Sequence, residues 1–180
     1  MICGIVDTLG YPSYNFAMHE TIAPIGIPAD WLEEFEAAAR RPLETEHCAL
    51  VVVDIQEKLL PPIFNKETLV KNSQLLIRLA KILSIPVMVT TQYSKGLGST
   101  VPDIASLLTD VPAFDKLEFS CFGSDQFRTR LKSLPGSRNT VLLCGMETHI
   151  CVMQTALGAL NGGYLVHVAS DAVGSRAEWN

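Results

Sequence analysis

Positive charge is scarce in this 180-residue chain, and its first 39 residues contain neither Lys nor Arg. The formal net charge is −5. Nucleic acid is not expected as a partner, because binding to a phosphate backbone depends on clustered basic side chains. Secretory signals and Arg-rich transit peptides also need basic residues near the N-terminus, so neither is expected here.

Long apolar runs and regularly spaced cysteines are missing as well. A membrane-spanning helix needs about 20 consecutive apolar residues, so no membrane insertion is expected. Five cysteines are an odd number, and no two of them have CxxC spacing. A disulfide framework or a zinc cage is therefore not expected. We expect the cysteines to be reduced thiols in a cytoplasmic protein. The composition, 48% hydrophobic and 18% charged, suits one α/β domain with a buried core.

The chain divides into two parts by pattern. Residues 1–47 read as an N-terminal extension of unknown role, in which Asp30 caps one short helix bearing Trp31, Leu32, Phe35 and Ala39. Residues 48–180 alternate apolar strands with amphipathic helices and predict a single parallel α/β domain. The predicted strands are 49–53, 85–90, 111–117, 140–144 and 164–169. The predicted helices are 68–83, one capped by Ser124, and one from about His149.

Three reactive side chains follow different strands of this predicted sheet. Asp54 ends the first strand, Lys116 lies at the third, and Cys151 follows the fourth. Ligands of parallel α/β sheets bind at the carboxyl ends of the strands, so these side chains are expected to converge. Asp54 would act as general base, Lys116 would stabilise a thiolate, and Cys151 would attack a carbonyl and form a thioester. Backbone N–H groups of Glu147 and Cys151 would hold the oxyanion.

The protonation state and the pocket follow from the same interpretation. A helix N-terminus and a nearby cation predict a Cys151 thiolate at neutral pH and make Cys151 the one strongly reactive thiol. Candidate substrate-binding residues are Gln56, Tyr93, Phe119 and Phe122. Two competing nucleophile arrangements, a His149–Cys151 pair and an N-terminal Cys3, are less favoured, because His149 faces away from Cys151 at a helix start and Ile2 precedes Cys3.

These residues resemble a known family. Three segments are similar to motifs of the isochorismatase-like cysteine hydrolases: the strand end Val51-Val52-Val53-Asp54-Ile55-Gln56, the sequence from Lys116 to Phe122, and Gly145-Met146-Glu147-Thr148-His149-Ile150-Cys151. A fourth segment, Thr91-Gln92-Tyr93-Ser94-Lys95-Gly96, resembles the isochorismatase domain-containing subgroup of that family. The resemblance implies a three-layer α/β sandwich with a Rossmann-like sheet of order 3-2-1-4-5, lacking a sixth strand at the C-terminus. It also implies an Asp54–Lys116–Cys151 triad and a cis peptide between Met146 and Glu147.

The resemblance further narrows the expected chemistry. Nicotinamidase-type members place an Asp and several His after the second strand, where this chain has Thr90-Thr91-Gln92-Tyr93, so no metal and no other cofactor is expected. Members that cleave the vinyl ether of isochorismate lack the nucleophilic Cys, which favours hydrolysis of a small amide or related acyl compound. The alternative is a catalytically impaired scaffold on the same fold. An uncovered edge at residues 164–169 predicts a homo-oligomer unless residues 1–47 fold over it.

Overall fold

A computed structural model of the protein describes residues 42–180, so the helix predicted after Asp30 lies outside the described residues. The described chain forms a sheet of five parallel strands in the order β3-β2-β1-β4-β5, with helices on both faces. This confirms the predicted fold class and strand order. The strands are β1 Cys48–Val53, β2 Val87–Gln92, β3 Ala113–Lys116, β4 Thr140–Met146 and β5 Leu165–Gly174.

The strand boundaries differ from the prediction where backbone pairing overrides side-chain pattern. β2 begins and ends two residues later than predicted. Pro86 cannot donate to a neighbouring strand, but its carbonyl accepts from the Leu50 N–H and leads the chain into the sheet. β5 runs on to Gly174 because it continues to pair with β4 after a register shift between Leu143 and Gly145. Hydropathy alone gives no signal for that polar continuation.

Helices cover both faces of the sheet. They are α1 Lys66–Ile82, α2 Ser94–Leu97, α3 Pro102–Ala105, α4 Asp125–Lys132 and α5 Met153–Asn161. The chain predicted to be helical from His149 begins as a π-helical turn, Thr148–Val152, before it continues as α5. As predicted, Ser124 caps α4: its Oγ accepts a hydrogen bond from the Phe127 N–H. None of the helices formed by residues 42–180 has the length and apolar character needed to cross a bilayer.

The buried face of α1 differs from the predicted one. The sequence pattern favoured a face made of Leu69, Leu75, Leu76, Leu79, Ala80 and Leu83. The structure buries two of these, Leu69 and Ala80, together with Ser73 and Ile77, which the prediction did not include. Leu75 and Leu79 are 64% and 47% exposed, because α1 is rotated so that the adjacent stripe packs on the strands.

β1 lies at the centre of the sheet, and all six of its residues are buried. Its alternate side chains enter two separate apolar clusters, one under α1 and the other under α4 and α5. Gly145 of β4 has φ +120, and a Cβ there would lie 2.0 Å from the Val53 carbonyl oxygen. A glycine at this position therefore allows β4 to approach β1 directly beside Asp54.

Candidate active site

The carboxyl edge of the sheet brings together the three predicted catalytic side chains. Asp54 directly follows β1 and leaves the strand in a left-handed conformation, with φ 50. Lys116 is the last residue of β3, and Cys151 lies in the π-helical turn after β4. Asp54 is fully buried, Lys116 is 3% exposed and Cys151 is 6% exposed. The sequence interpretation thus located the cluster correctly; the roles of its members are a separate question.

A buried ion pair holds the cluster together. Lys116 Nζ donates to Asp54 Oδ2 over 2.6 Å, and both side chains are 1% exposed or less. The ammonium also donates to Gln92 Oε1 at 2.9 Å and to the Glu118 carbonyl at 3.2 Å. All three ammonium protons therefore have acceptors, which is the condition under which burying a lysine is tolerable.

Two polar residues of β2, Thr90 and Gln92, were missed by the sequence interpretation. Thr90 Oγ1 donates to Asp54 Oδ1 over 2.7 Å, and Gln92 supplies the amide oxygen that Lys116 contacts. β2 lies between β1 and β3, so its terminal side chains bridge the gap between Asp54 and Lys116. A signal was present: these are polar residues spaced by two at the end of an otherwise buried strand.

Cys151 is a neutral thiol in this site, which corrects the predicted thiolate. Burial and the charge of the nearby Asp54 carboxylate raise the pKa of the Cys151 thiol to about 12. The Lys116 ammonium lowers the pKa of Cys151, but not enough to offset these effects. The prediction failed because the helix N-terminus and cation were weighed without the cost of desolvating a thiolate beside a carboxylate.

The other described cysteines are also neutral. Burial raises the pKa of Cys144 to about 12 and that of Cys121 to about 11. Cys121 lies close to the cluster, since its Sγ is 3.7 Å from Thr90 Oγ1, and it is fully buried. Burial also raises the pKa of Cys48. Thiol pKa therefore does not separate Cys151 from the other cysteines. Its place in the π-helical turn at the carboxyl end of β4 does, because Cys121 and Cys144 are completely buried whereas Cys151 is 6% exposed.

The turn after β4 presents backbone N–H groups near Cys151. Glu147 precedes the π-helical turn, and the peptide bond between Met146 and Glu147 is cis, as the resemblance implied. The first N–H groups of a helix have no partner within the helix, so those of Glu147 and Cys151 are suitably placed by chain position to meet an oxyanion. The carboxylate of Glu147 points the other way and accepts from Arg176 at 3.2 Å.

His149 occupies the same turn but has a different partner. Its Nδ1 lies 2.9 Å from Ser175 Oγ, beyond the end of β5. This contact directs the imidazole toward β5, in keeping with the low weight given to a His149–Cys151 pair. Cys3, the other alternative nucleophile, lies outside the described residues.

The four predicted substrate-binding residues fall into two groups. Gln56 is fully buried; its Oε1 accepts from the Gln92 N–H, and its Nε2 donates to the Gln92 and Gly98 carbonyls. The Phe122 ring packs edge-on against Phe127 and Tyr164. The Gln56 side chain is thus fully engaged within the protein. Phe122 is half-buried and lines a surface cavity with Ser120 and Gly158, so a substrate contact by Phe122 stays a prediction.

Tyr93 and Phe119 are the two predicted substrate residues with exposed side chains, at 49% and 58%. The Tyr93 ring lies over Gly96, where a Cβ would be 2.2 Å from the ring. The Tyr93 N–H also donates to the Lys116 carbonyl, so the backbone of Tyr93 is fixed beside the end of β3. A substrate contact by these two side chains stays a prediction.

Metal-ligating groups are sparse in the described region. Within residues 42–180, His, Cys, Asp and Glu form no group of three or more that could hold a metal ion. The segment where nicotinamidase-type members carry metal ligands presents hydroxyl, amide and phenol groups instead, and the Thr90 and Gln92 side chains are taken up by Asp54 and Lys116. These residues do not fit the metal site of those members.

Comparison with known proteins agrees with the fold and the motifs. The isochorismatase domain family matches residues 48–179. The secreted isochorismatase effector Isc1 of Phytophthora sojae is 44% identical over 134 residues, which are 73% of this chain and 63% of that protein. Isochorismatase domain-containing protein 2 of Danio rerio is 38% identical over 136 residues, covering 76% of this chain and 67% of that protein.

Solved structures point the same way. The structure of Mar1 ribonuclease from Caenorhabditis elegans superimposes with a TM-score of 0.71 at 40% identity, covering 77% of this chain and 70% of that one. The family match includes all three converging side chains, from the end of β1 to the turn after β4. The chain therefore belongs to the isochorismatase family and has its hydrolase fold.

Proposed function

We propose that the protein is a metal-independent cysteine hydrolase that cleaves a small amide or a related acyl compound through a thioester on Cys151. The observation that carries this proposal is the convergence of three buried side chains at one edge of the sheet: the Asp54 carboxylate accepts a hydrogen bond from the Lys116 ammonium, and the charges of both act on the Cys151 thiol. A thiol, a base within hydrogen-bonding distance and a cation that orients the base are the parts required for nucleophilic catalysis.

The first half-reaction forms the thioester. Cys151 Sγ attacks the substrate carbonyl carbon as its proton passes to Asp54, and the carbonyl electrons move onto oxygen. The N–H groups of Glu147 and Cys151 stabilise that oxyanion. When the tetrahedral intermediate collapses, the carbon–nitrogen bond breaks and protonated Asp54 returns the proton to the departing amine. Since Cys151 rests as a neutral thiol, the proton transfer accompanies attack and does not precede it.

The second half-reaction uses the same groups in reverse. Asp54, again a carboxylate, takes a proton from a water molecule that attacks the thioester carbonyl. The carbon–sulfur bond then breaks, releasing a carboxylic acid and restoring the Cys151 thiol with the proton held by Asp54. Lys116 keeps one positive charge beside the carboxylate and the sulfur throughout, so that neither anionic form is left uncompensated in the low-dielectric site.

Thr90, Gln92 and Gln56 act as positioning residues in this scheme. Thr90 donates to Asp54 Oδ1 while Lys116 donates to Oδ2, so the carboxylate is held in one orientation, and Gln92 fixes the Lys116 ammonium. Gln56 in turn holds the backbone of Gln92 and the loop at Gly98. None of the three is expected to contact substrate, whereas the exposed rings of Tyr93 and Phe119 are the candidates for that role.

The names of the relatives supply two competing activities. One is called a ribonuclease and another an isochorismatase effector. The net charge of −5 disfavours RNA as a substrate. A thiol backed by a carboxylate base suits attack on an acyl carbon, whereas vinyl ether cleavage needs no covalent thioester. The scaffold alternative requires that the triad be inactive.

A substrate panel with matched cysteine variants tests the proposal. Small primary amides, isochorismate and a short single-stranded RNA are each incubated with the protein, with Cys151→Ser and with Cys121→Ser; ammonia, pyruvate and RNA fragments are the respective products. The expected result is ammonia release by the protein and by Cys121→Ser, but not by Cys151→Ser. RNA or isochorismate cleavage that survives Cys151→Ser would overturn the proposal, and no turnover of any compound would favour the scaffold.

A further inference from the structure

The chain that follows β5 runs along the turn that carries Cys151. Met146 and Gly174 are the last paired residues of β4 and β5. The segments beyond them therefore leave the sheet side by side at its carboxyl edge. We call residues 147–152 the nucleophile turn and residues 175 and 176 the β5 tail.

Two contacts join the β5 tail to the nucleophile turn. Arg176 Nε donates to Glu147 Oε1 over 3.2 Å, and Ser175 Oγ lies 2.9 Å from His149 Nδ1. The tail is itself anchored, because Ser175 is 2% exposed and its carbonyl accepts from the Phe64 N–H, in the loop before α1, at 2.9 Å. The Arg176 guanidinium thus reaches Glu147 from a fixed backbone.

Glu147 connects this ion pair to the reacting groups. Its carbonyl accepts from the N–H groups of Ile150 and Val152, the two neighbours of Cys151, at 3.0 and 3.2 Å. Its carboxylate is held by Arg176, and the residue is 7% exposed. With the carbonyl and the carboxylate both fixed, the backbone N–H of Glu147 is held in one orientation. That N–H is one of the two that would stabilise the oxyanion.

Charge gives the ion pair a second effect. Asp54 and Lys116 neutralise each other, and so do Glu147 and Arg176. Without Arg176, the nearly buried carboxylate of Glu147 would be an uncompensated negative charge in the same residue whose N–H meets the oxyanion. Like charges repel most strongly where water is excluded. The tetrahedral intermediate would therefore be destabilised more than the uncharged amide that precedes it.

We propose that Arg176 is a positioning residue of the proposed hydrolase: through Glu147 it fixes and neutralises the turn that stabilises the oxyanion. The inference rests on the proposed function, because it needs an oxyanion formed by attack of Cys151. It predicts a loss of kcat with little change in KM, since the interaction strengthens only as charge develops on the carbonyl oxygen. An ion pair of purely structural value would leave both unchanged in a folded variant.

Arg176→Gln is the test, because the Arg176 side chain is 61% exposed and its removal leaves the core intact. Arg176→Lys keeps the charge, and Arg176→Gln combined with Glu147→Gln removes both members of the pair. Lys81→Gln is the matched control. Lys81 also forms an exposed ion pair, with Asp110 at 3.0 Å, but it lies at the end of α1, close to where β2 begins and thus at the opposite edge of the sheet. Circular dichroism and urea unfolding check that each variant is folded.

The probes are acetamide, propionamide and benzamide, each with the aldehyde of the same carbon skeleton. The first measurement is kcat and KM for amide hydrolysis. The second is the inhibition constant of the aldehyde, which Cys151 converts to a hemithioacetal: the sulfur–carbon bond forms, the carbonyl electrons move to oxygen, and the thiol proton passes to Asp54. This adduct has the oxyanion but no leaving group, so it separates oxyanion stabilisation from cleavage of the carbon–nitrogen bond.

We expect Arg176→Gln to lower kcat about tenfold at nearly constant KM and to weaken aldehyde inhibition by the same factor. Arg176→Lys and the double variant should recover most of this loss, because neither leaves the carboxylate charge uncompensated, and Lys81→Gln should match the parent. If the parent hydrolyses an amide and forms the adduct on Cys151, an Arg176→Gln variant with unchanged kcat and inhibition, or with a change in KM alone, would overturn this inference only. A parent that does neither would overturn the proposed function, and the inference with it.

Discussion

Replacing Asp54 by Asn separates the two roles that the site gives this carboxylate. In the proposed mechanism Asp54 accepts the proton of Cys151 during attack, whereas in the resting protein its charge raises the pKa of that thiol. Asn keeps an acceptor for the Lys116 ammonium and removes the negative charge. Turnover should therefore fall by about 10²-fold or more, because the general base is lost, while the thiol becomes more acidic.

The size of the second effect follows from Coulomb's law. A unit charge about 4 Å away contributes about 4 kcal/mol at an effective dielectric constant of about 20, which corresponds to about three pKa units. Burial, the largest cause of the raised pKa of Cys151, is unchanged in the variant. The pKa of Cys151 should thus fall from about 12 by about one to three units, and the Lys116 charge, no longer neutralised, acts in the same direction.

The assay is the pH dependence of iodoacetamide labelling, followed by peptide mapping. Cys144 is the internal control for unfolding, because it is completely buried and Asp54 does not contribute to its raised pKa. Asp54→Asn should label Cys151 at lower pH than the parent while Cys144 stays unlabelled in both proteins. Labelling of Cys151 that is unchanged or moves to higher pH, or turnover that survives the substitution, would refute the reasoning.

Three further changes test other parts of the account. Gly145→Ala should cost on the order of 3 kcal/mol of stability in denaturant unfolding and impair catalysis, because its Cβ would meet the Val53 carbonyl at 2.0 Å; a neutral effect would contradict the packing. The free energy of unfolding should fall as pH rises above 9, since the unfolded state releases the thiol proton of Cys144 at an ordinary pKa while the folded state retains it to about pH 12. This stabilisation is fully present below pH 9 and is lost at about 1.4 kcal/mol per pH unit as the pH rises above 9. Cys144→Ala should lack this part of the alkaline slope. Gln92→Leu should lower kcat about tenfold with little change in KM, by removing a hydrogen bond to the Lys116 ammonium; an unchanged kcat would show that Gln92 does not position the lysine.

The sheet and the convergence of Asp54, Lys116 and Cys151 at its edge could be predicted because both depend on local pattern. The buried run before Asp54 and the strand–turn–helix sequence around Cys151 fix strand ends, and the topology of parallel sheets brings strand ends together. The strand order came from family resemblance, and the structure confirms it.

The features that could not be predicted depend on what faces each residue across the fold. The predicted orientation of α1 was wrong because two adjacent stripes of the helix are apolar. Only packing on the sheet decides that Ile77 is buried and Leu75 is exposed. The predicted Cys151 thiolate was wrong because burial of the sulfur and the Asp54 charge raise its pKa by more than the Lys116 charge lowers it, and a sequence does not show how deeply the sulfur is buried. Gln92 was missed because its partner, Lys116, is 24 residues away in sequence.

Mass spectrometry of the protein trapped during turnover tests the central claim most directly. The protein is mixed with an amide that it hydrolyses, quenched in acid within the turnover time, digested and mapped. The account predicts a mass increase equal to the acyl group, located on Cys151 and absent in Cys151→Ser, with the adduct persisting longer in a substrate whose thioester hydrolyses slowly. Turnover without any acyl adduct at Cys151 under these conditions, or an adduct on Cys121 instead, would contradict it.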